Sequence, residues 1–253
     1  MPKSQTIPIS GQASWQEIYA VPIADNGEAL VPLSLTPEQL LVRSAYFEAG
    51  LTGALPECYA REAVLDRLLV AASLLPRHLR LVVLDGWRSK QVQMLLFEHC
   101  RDALAQAYPN ADEARLTRMA EQYVAPQPKG AIASSPHATG GALDVTLASR
   151  DGKCLFFGAP FDFPGEISFT RYFEERLALN ISLSDEEQCA LENRRLLYRV
   201  MIAAGFVNYS SEWWHYEYGT QRWAHDGQHK TAIYGPKQLS LTPFSNLGKG
   251  DNP

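Results

Sequence analysis

The sequence predicts an α+β fold, a small central antiparallel sheet flanked by helices. Three observations carry that prediction. Apolar residues recur at helical spacing over residues 60–75, 89–107 and 185–204; short β-rich runs occupy 79–84, 142–147, 206–210 and 214–218; and Arg150-Asp151-Gly152 is a turn that can fold the second run back on residues 153–157. Sheet and helices then pack as two layers around one core.

Each element follows from local chemistry. Residues 1–57 carry Pro2, Pro8, Pro22, Pro32, Pro37 and Pro56, which limits this stretch to short elements and extended chain. Thr36-Pro37-Glu38 is the expected start of one short helix there. The apolar series Val64, Leu65, Leu68, Leu69, Ala72, Leu75 makes residues 60–75 a helix, stopped by Pro76. Residues 79–84 form a strand ending in Asp85-Gly86, and a helix follows from Ser89 to Ala107, with another from Asn110. Ser184 with Glu187 is a capping box that opens the helix over 185–204, and Gly205 ends it. Two more strands follow, separated by a short turn containing Ser and Glu. We expect a single domain, with residues 1–57 an irregular segment packed on a catalytic domain of 58–253.

Composition narrows the classes. The chain has 253 residues, 46% hydrophobic and 20% charged, ordinary values for a soluble globular protein with a sizeable core. Lys+Arg 23 against Asp+Glu 28 leaves a net charge of −5, so the basic stripe of a nucleic-acid binder is absent. The start, Met1 to Pro8, lacks the basic-then-apolar pattern of a signal peptide, and no apolar run approaches the roughly 18 residues of a membrane helix. No membrane association and a cytoplasmic location are therefore expected. Cys58, Cys100, Cys154 and Cys189 form no CxxC pair and are expected to be reduced and mostly buried. A homo-oligomer is compatible with the sequence, which shows no interface.

Two of the six histidines lie in segments with chemical potential: Ser135-Pro136-His137-Ala138-Thr139-Gly140-Gly141-Ala142-Leu143-Asp144, and Glu212-Trp213-Trp214-His215. Two glycines let the chain turn between His137 and Asp144, and an Asp that opens an apolar strand needs a partner. In the second segment, an extended chain would put Glu212 and His215 on opposite faces, so a bend near Trp213 is required for both to reach one pocket. His137, Asp144 and His215 would make a three-ligand zinc set with a fourth position open. Glu212 could then take the proton of an activated water, and Arg88, in the turn after a core strand, could steady an oxyanion. Taken singly, each has a plainer reading: a hydrogen-bonded loop histidine, a packed Trp-Trp-His run, a salt-bridged turn arginine. His225 and His229 sit in a polar, Gly-containing run that reads as a loop, and His78 and His99 as surface or packing residues.

Together the segments resemble the D-alanyl-D-alanine dipeptidase family. The resemblance runs from about residue 60 to 219 and rests on Leu84-Asp85-Gly86-Trp87-Arg88, Ser135-Pro136-His137, Leu143-Asp144-Val145-Thr146-Leu147, Phe161-Asp162-Phe163, Asn193-Arg194-Arg195, and Gly205-Phe206 through Ser211-Glu212-Trp213-Trp214-His215-Tyr216. It implies one Zn2+ per chain on His137, Asp144 and His215, Glu212 as general base and acid, and Arg88 as the transition-state cation. It further implies that Asp162 meets the substrate's free amino group and that Ser135 lies near its carboxylate end. Ala45 to Gly53 matches the family more loosely, with Tyr46 the candidate for a substrate-contacting tyrosine. Ser89 stands where the family usually has Pro, and Pro136 where it often has Ser. The expected function is hydrolysis of D-Ala-D-Ala, a small dipeptide. D,D-carboxypeptidases and related cell-wall peptidases share the ligand set and form the nearest alternative; a non-catalytic peptide binder is a distant one.

Overall fold

The computed structural model describes residues 5–11, 13–121, 124 and 135–239. The N-terminal stretch holds short elements: α1 (Trp15–Tyr19), β1 (Leu30–Pro32), β2 (Leu40–Val42) and α2 (Ala45–Glu48). Next come β3 (Tyr59–Arg61), α3 (Glu62–Ser73), β4 (Leu79–Asp85), α4 (Lys90–Ala107) and α5 (Glu113–Ala120). The second half contains β5 (Ala142–Ser149), α6 (Tyr172–Ala178), α7 (Asp185–Ala203), β6 (Val207–Asn208), β7 (His215–Glu217) and α8 (Gln221–Asp226).

The helices start where their caps stand. Ser89 Oγ accepts the Val92 amide at 3.2 Å to open α4, and Asp112 accepts the Arg115 amide at 2.7 Å to open α5, three residues later than Asn110 suggested. At α7 both arms of the capping box form: Glu187 N–H to Ser184 Oγ at 3.2 Å and Ser184 N–H to Glu187 Oε2 at 2.9 Å.

The main sheet has the order β2-β4-β5-β7-β6, with β1 and β3 paired apart from it. The fold is α+β, but the sheet is not wholly antiparallel, because β2 joins β4 in parallel. Odd positions of β5, Leu143, Val145 and Leu147, face one layer with Leu81 and Val83 of β4. There they meet Val64 and Leu68 of α3 and Leu197, Val200 and Met201 of α7 in one buried cluster. Even positions carry Asp144 and Thr146 on the opposite face, buried beside Val82 and Ala148. Alternation along one strand thus separates the packing face from the chemical face.

Several expectations need correction. No helix begins at Thr36; a 3-10 turn at Leu33–Leu35 precedes it and a turn leads straight into β2, whose pairing with β4 claims the backbone. Residues 153–157 fold back after the turn, but only one isolated bridge, Ala148 to Cys154, joins them to β5 in ladder fashion. His225 is in α8, whose start Thr220 caps by accepting the Trp223 amide, and His229 stacks on Trp223 with ring centroids 3.9 Å apart. Cys58 is buried and Cys100 half-buried, whereas Cys154 and Cys189 are exposed, the latter on the outer side of α7. No helix among the described residues is long and apolar enough to cross a membrane.

Candidate active site

The chemical face of the sheet aligns three acidic or basic side chains in one row. Asp85 of β4 pairs with Asp144 of β5, and Asp144 pairs with His215 of β7. A register shift between Val83 and Asp85 brings Asp85 into this row. His137 comes from the 3-10 turn Pro136–Thr139 just before β5. Gly140 closes that turn at φ 73°, where a Cβ would stand 2.3 Å from Leu30 Cδ2. Buried Arg61 holds the turn from behind, donating to Thr139 O at 2.7 Å while it pairs with Asp25 at 2.7 Å.

His137, Asp144 and His215 form a buried group that could hold a metal ion. His137 Nε2 lies 3.2 Å from His215 Nδ1, His215 Nδ1 3.1 Å from Asp144 Oδ1, and His137 Nε2 3.5 Å from the same oxygen. A tetrahedral ion with bonds of roughly 2.0–2.1 Å has ligand-to-ligand edges of about 3.3 Å, so the spacing fits. The tautomers fit as well. His137 Nδ1 donates to Gly86 O at 2.8 Å and His215 Nε2 donates to Glu217 Oε1 at 3.1 Å. With one nitrogen of each ring tied outward, His137 Nε2, His215 Nδ1 and Asp144 Oδ1 face one another, a donor set that a bound cation would complete. Burial opposes a charged His215, yet bonds to and charges on Asp144 and Glu217 push its imidazole up to about 10. Burial also disfavours the Asp144 carboxylate, but the two imidazoles outweigh it and hold the group well below the usual range.

Glu212 reaches this group because the chain turns: Glu212 N–H bonds Tyr209 O at 3.0 Å and His215 N–H bonds Glu212 O at 3.3 Å, which supplies the required bend. Its carboxylate lies 3.7 Å from His215 Nδ1. Burial, with added repulsion from Asp144 and Asp162, pushes it up to about 8 against the pull of His215 and Arg88.

Arg88 stands on the other side. It pairs with Asp85 at 2.8 Å and reaches Asp144 Oδ2 at 3.4 Å, so one guanidinium separates two carboxylates that face each other across strands. Gln93 Oε1 accepts from Arg88 at 2.8 Å and from Ser135 Oγ at 3.1 Å. Tyr46 of α2 lies under the guanidinium, 4.9 Å from carbon to ring centre, and its hydroxyl accepts from Arg88 at 3.4 Å. Burial above all, with Asp144 and Asp85 adding, pushes Asp162 up to about 6, while Arg88 and Tyr46 oppose.

All eight residues singled out in the sequence, Tyr46, Arg88, Ser135, His137, Asp144, Asp162, Glu212 and His215, line one cavity of about 820 Å³. Sequence reasoning missed Glu217, Gln93 and Arg222. Glu217 is fully buried and bonded to Thr220 and to Arg222 Nε, the latter at 3.1 Å. Arg222 is itself held between the rings of Trp15 and Tyr209, at 4.8 and 4.5 Å. Position could have revealed Glu217, since two residues after His215 on a strand is the same face. No comparable signal marks Gln93.

Comparison with known proteins identifies the family. The sequence model of the family described as D-ala-D-ala dipeptidase matches residues 49–233. A D-alanyl-D-alanine dipeptidase of Synechocystis sp. is 29% identical over 234 residues, covering 85% of this chain and 94% of that one. Proteins of the same name from Escherichia coli and Enterococcus faecium are 33% identical over 139 residues and 36% over 111, covering 55% and 45% of their own lengths. The family match spans most of the chain and takes in every cavity residue named above except Tyr46 and Trp15's neighbourhood at the N-terminus, and the chain belongs to the D-ala-D-ala dipeptidase family of zinc metallopeptidases.

Proposed function

We propose that the protein is a zinc-dependent dipeptidase that hydrolyses D-Ala-D-Ala to two molecules of D-alanine, with one zinc ion per chain on His137, Asp144 and His215. The observation that carries this reading is the convergence of His137 Nε2, His215 Nδ1 and the Asp144 carboxylate, with the other nitrogen of each ring tied to an outer partner, beside the Glu212 carboxyl. Zinc bound there would polarise the peptide carbonyl and acidify a water molecule.

The chain's own groups supply the rest. Glu212, 3.7 Å from a ligand ring, takes a proton from the attacking water and returns it to the leaving amine, a task suited to a carboxyl pushed up to about 8. Arg88, fixed by Asp85 and Gln93, faces the oxyanion that develops when water adds to the carbonyl. Asp162 receives the ammonium end of the dipeptide, while the Ser135 hydroxyl serves its carboxylate end and Tyr46 packs beside both. A small substrate with two charged ends is thereby read at each end.

The test is release of free D-alanine from D-Ala-D-Ala by the purified protein, with chelator and with zinc restored, beside L-Ala-L-Ala and N-acetyl-D-Ala-D-Ala. Chelator-sensitive, zinc-restored activity on the free D,D-dipeptide is expected. Turnover confined to blocked or longer peptides would replace this reading by a D,D-carboxypeptidase, and zinc binding without turnover of any of them by a binding role.

A further inference from the structure

Asp162 sits in a loop between Pro160 and Pro164, two residues away on either side. Its backbone is in the left-handed region, at φ 61°, less favourable for a side-chain-bearing residue than for glycine, though Asp tolerates it better than most. The surroundings converge on one side chain, Arg194 of α7, which is almost fully buried. Its guanidinium donates twice to Phe157 O, at 2.8 and 2.6 Å, and once each to Ile167 O and Phe169 O, both at 2.7 Å. Residues 157 and 167–169 are the two ends of the loop, so a single planar group ties its neck shut. Among the described residues Arg194 has no carboxylate partner; it lies instead over the Phe173 ring, 4.7 Å from its centre. A buried cation satisfied by carbonyls alone is costly to keep, and its fork matches carbonyls spread in a plane as a lysine cannot. Within the loop, Ser168 Oγ donates to Phe163 O at 2.6 Å, and Ser168 O accepts the Trp213 amide at 3.0 Å, which links the same loop to the turn that bears Glu212.

We propose that Arg194 is a positioning residue for substrate binding: by closing the neck of the 157–169 loop from a rigid helix it sets where the Asp162 carboxylate stands relative to the metal-ligand group. This rests on the reading of Asp162 as the anchor for the substrate's amino group. Lysine at 194 keeps the charge but cannot span both ends of the neck, so the anchor drifts while the ligand row on the sheet is untouched.

The experiment measures kcat and KM for D-Ala-D-Ala, together with zinc content and thermal unfolding, in wild type, R194K, D162N and the double variant, with S168A as a milder cut of the same loop. R194K is expected to raise KM about tenfold with kcat within about twofold and one zinc retained; S168A should shift KM the same way by about threefold. Because Arg194 acts through Asp162, the double variant should be no worse than D162N alone. A fall in kcat or zinc content at unchanged KM, or effects of R194K and D162N that multiply, would overturn the proposal. Should R194K fail to fold, an unchanged KM in S168A would do the same. An unchanged KM in D162N itself would instead refute the Asp162 reading, and the proposal with it.

Discussion

Replacing Glu217 by Gln removes one negative charge from behind the metal-ligand group while keeping the side chain's shape. Glu217 is fully buried, and its oxygens serve three donors: the His215 ring, the Thr220 hydroxyl and the Arg222 guanidinium. The carboxylate holds the ring proton of His215 on Nε2 and so leaves Nδ1 to face Asp144 and His137. A glutamine offers one carbonyl oxygen, and its amide hydrogens then confront a remaining donor, so neither the tautomer nor the ring angle stays enforced. Outer partners of this kind typically govern metal affinity by about 10- to 100-fold, or about 1.4–2.7 kcal/mol. The assay is competition for zinc between the apoprotein and a chromophoric chelator at fixed pH, with thermal unfolding of both apoproteins alongside. The dissociation constant of E217Q is expected to rise by that factor. Zinc binding within twofold of wild type, in a variant that unfolds like wild type, would refute the claim that Glu217 prepares the ligand.

Three further outcomes are expected. Glu212→Gln should lower kcat by about 10²–10⁴ with zinc content unchanged, and retained turnover would exclude Glu212 as the proton carrier. Because Asp162 is held up near 6, its carboxylate is charged above that pH and neutral below it. Accordingly kcat/KM for the free dipeptide, already falling below about 8 as Glu212 takes up its proton, should fall more steeply below about 6, and D162N should lack this second limb; an unchanged slope through 6 in the wild type would argue against the anchor. Gly86→Ala places a Cβ 2.5 Å from Tyr59 O, a backbone atom that can yield only if β3 moves. A cost of about 1–3 kcal/mol is expected, visible as a lower melting temperature, and an unchanged one would show that the turn has slack.

Much of this architecture was legible in the residues. The capping box at Ser184 and Glu187 fixed the start of α7, and the carboxylate of Asp144 inside an apolar strand already asked for a partner. The bend between Glu212 and His215 followed from the need to turn two side chains of an extended run toward one pocket. What escaped were features that depend on long-range pairing. The parallel joining of β2 to β4 turned an expected helix start into an approach to a strand, because a three-residue strand carries almost no periodic signal of its own. The exposure of Cys154 and Cys189 depends on which face of each element meets the core, a property of packing. Gln93 and Arg222 owe their places to the site only through neighbours distant in sequence, Arg88 and Ser135 in one case, Glu217 and Trp15 in the other.

The placement of ligands on adjacent strands has a consequence for how the molecule is assembled. His215 lies 71 residues after Asp144, and the strand that carries it enters the sheet between β5 and β6. A growing chain that has completed α7 already owns His137 and Asp144, yet it presents only a two-point grip. The third point arrives with the last strand of the main sheet, and a one-residue slip of β7 would turn His215 to the packing face. Capture of a metal would therefore proofread strand register: an ion held by all three side chains is a latch that closes only on the correctly finished sheet.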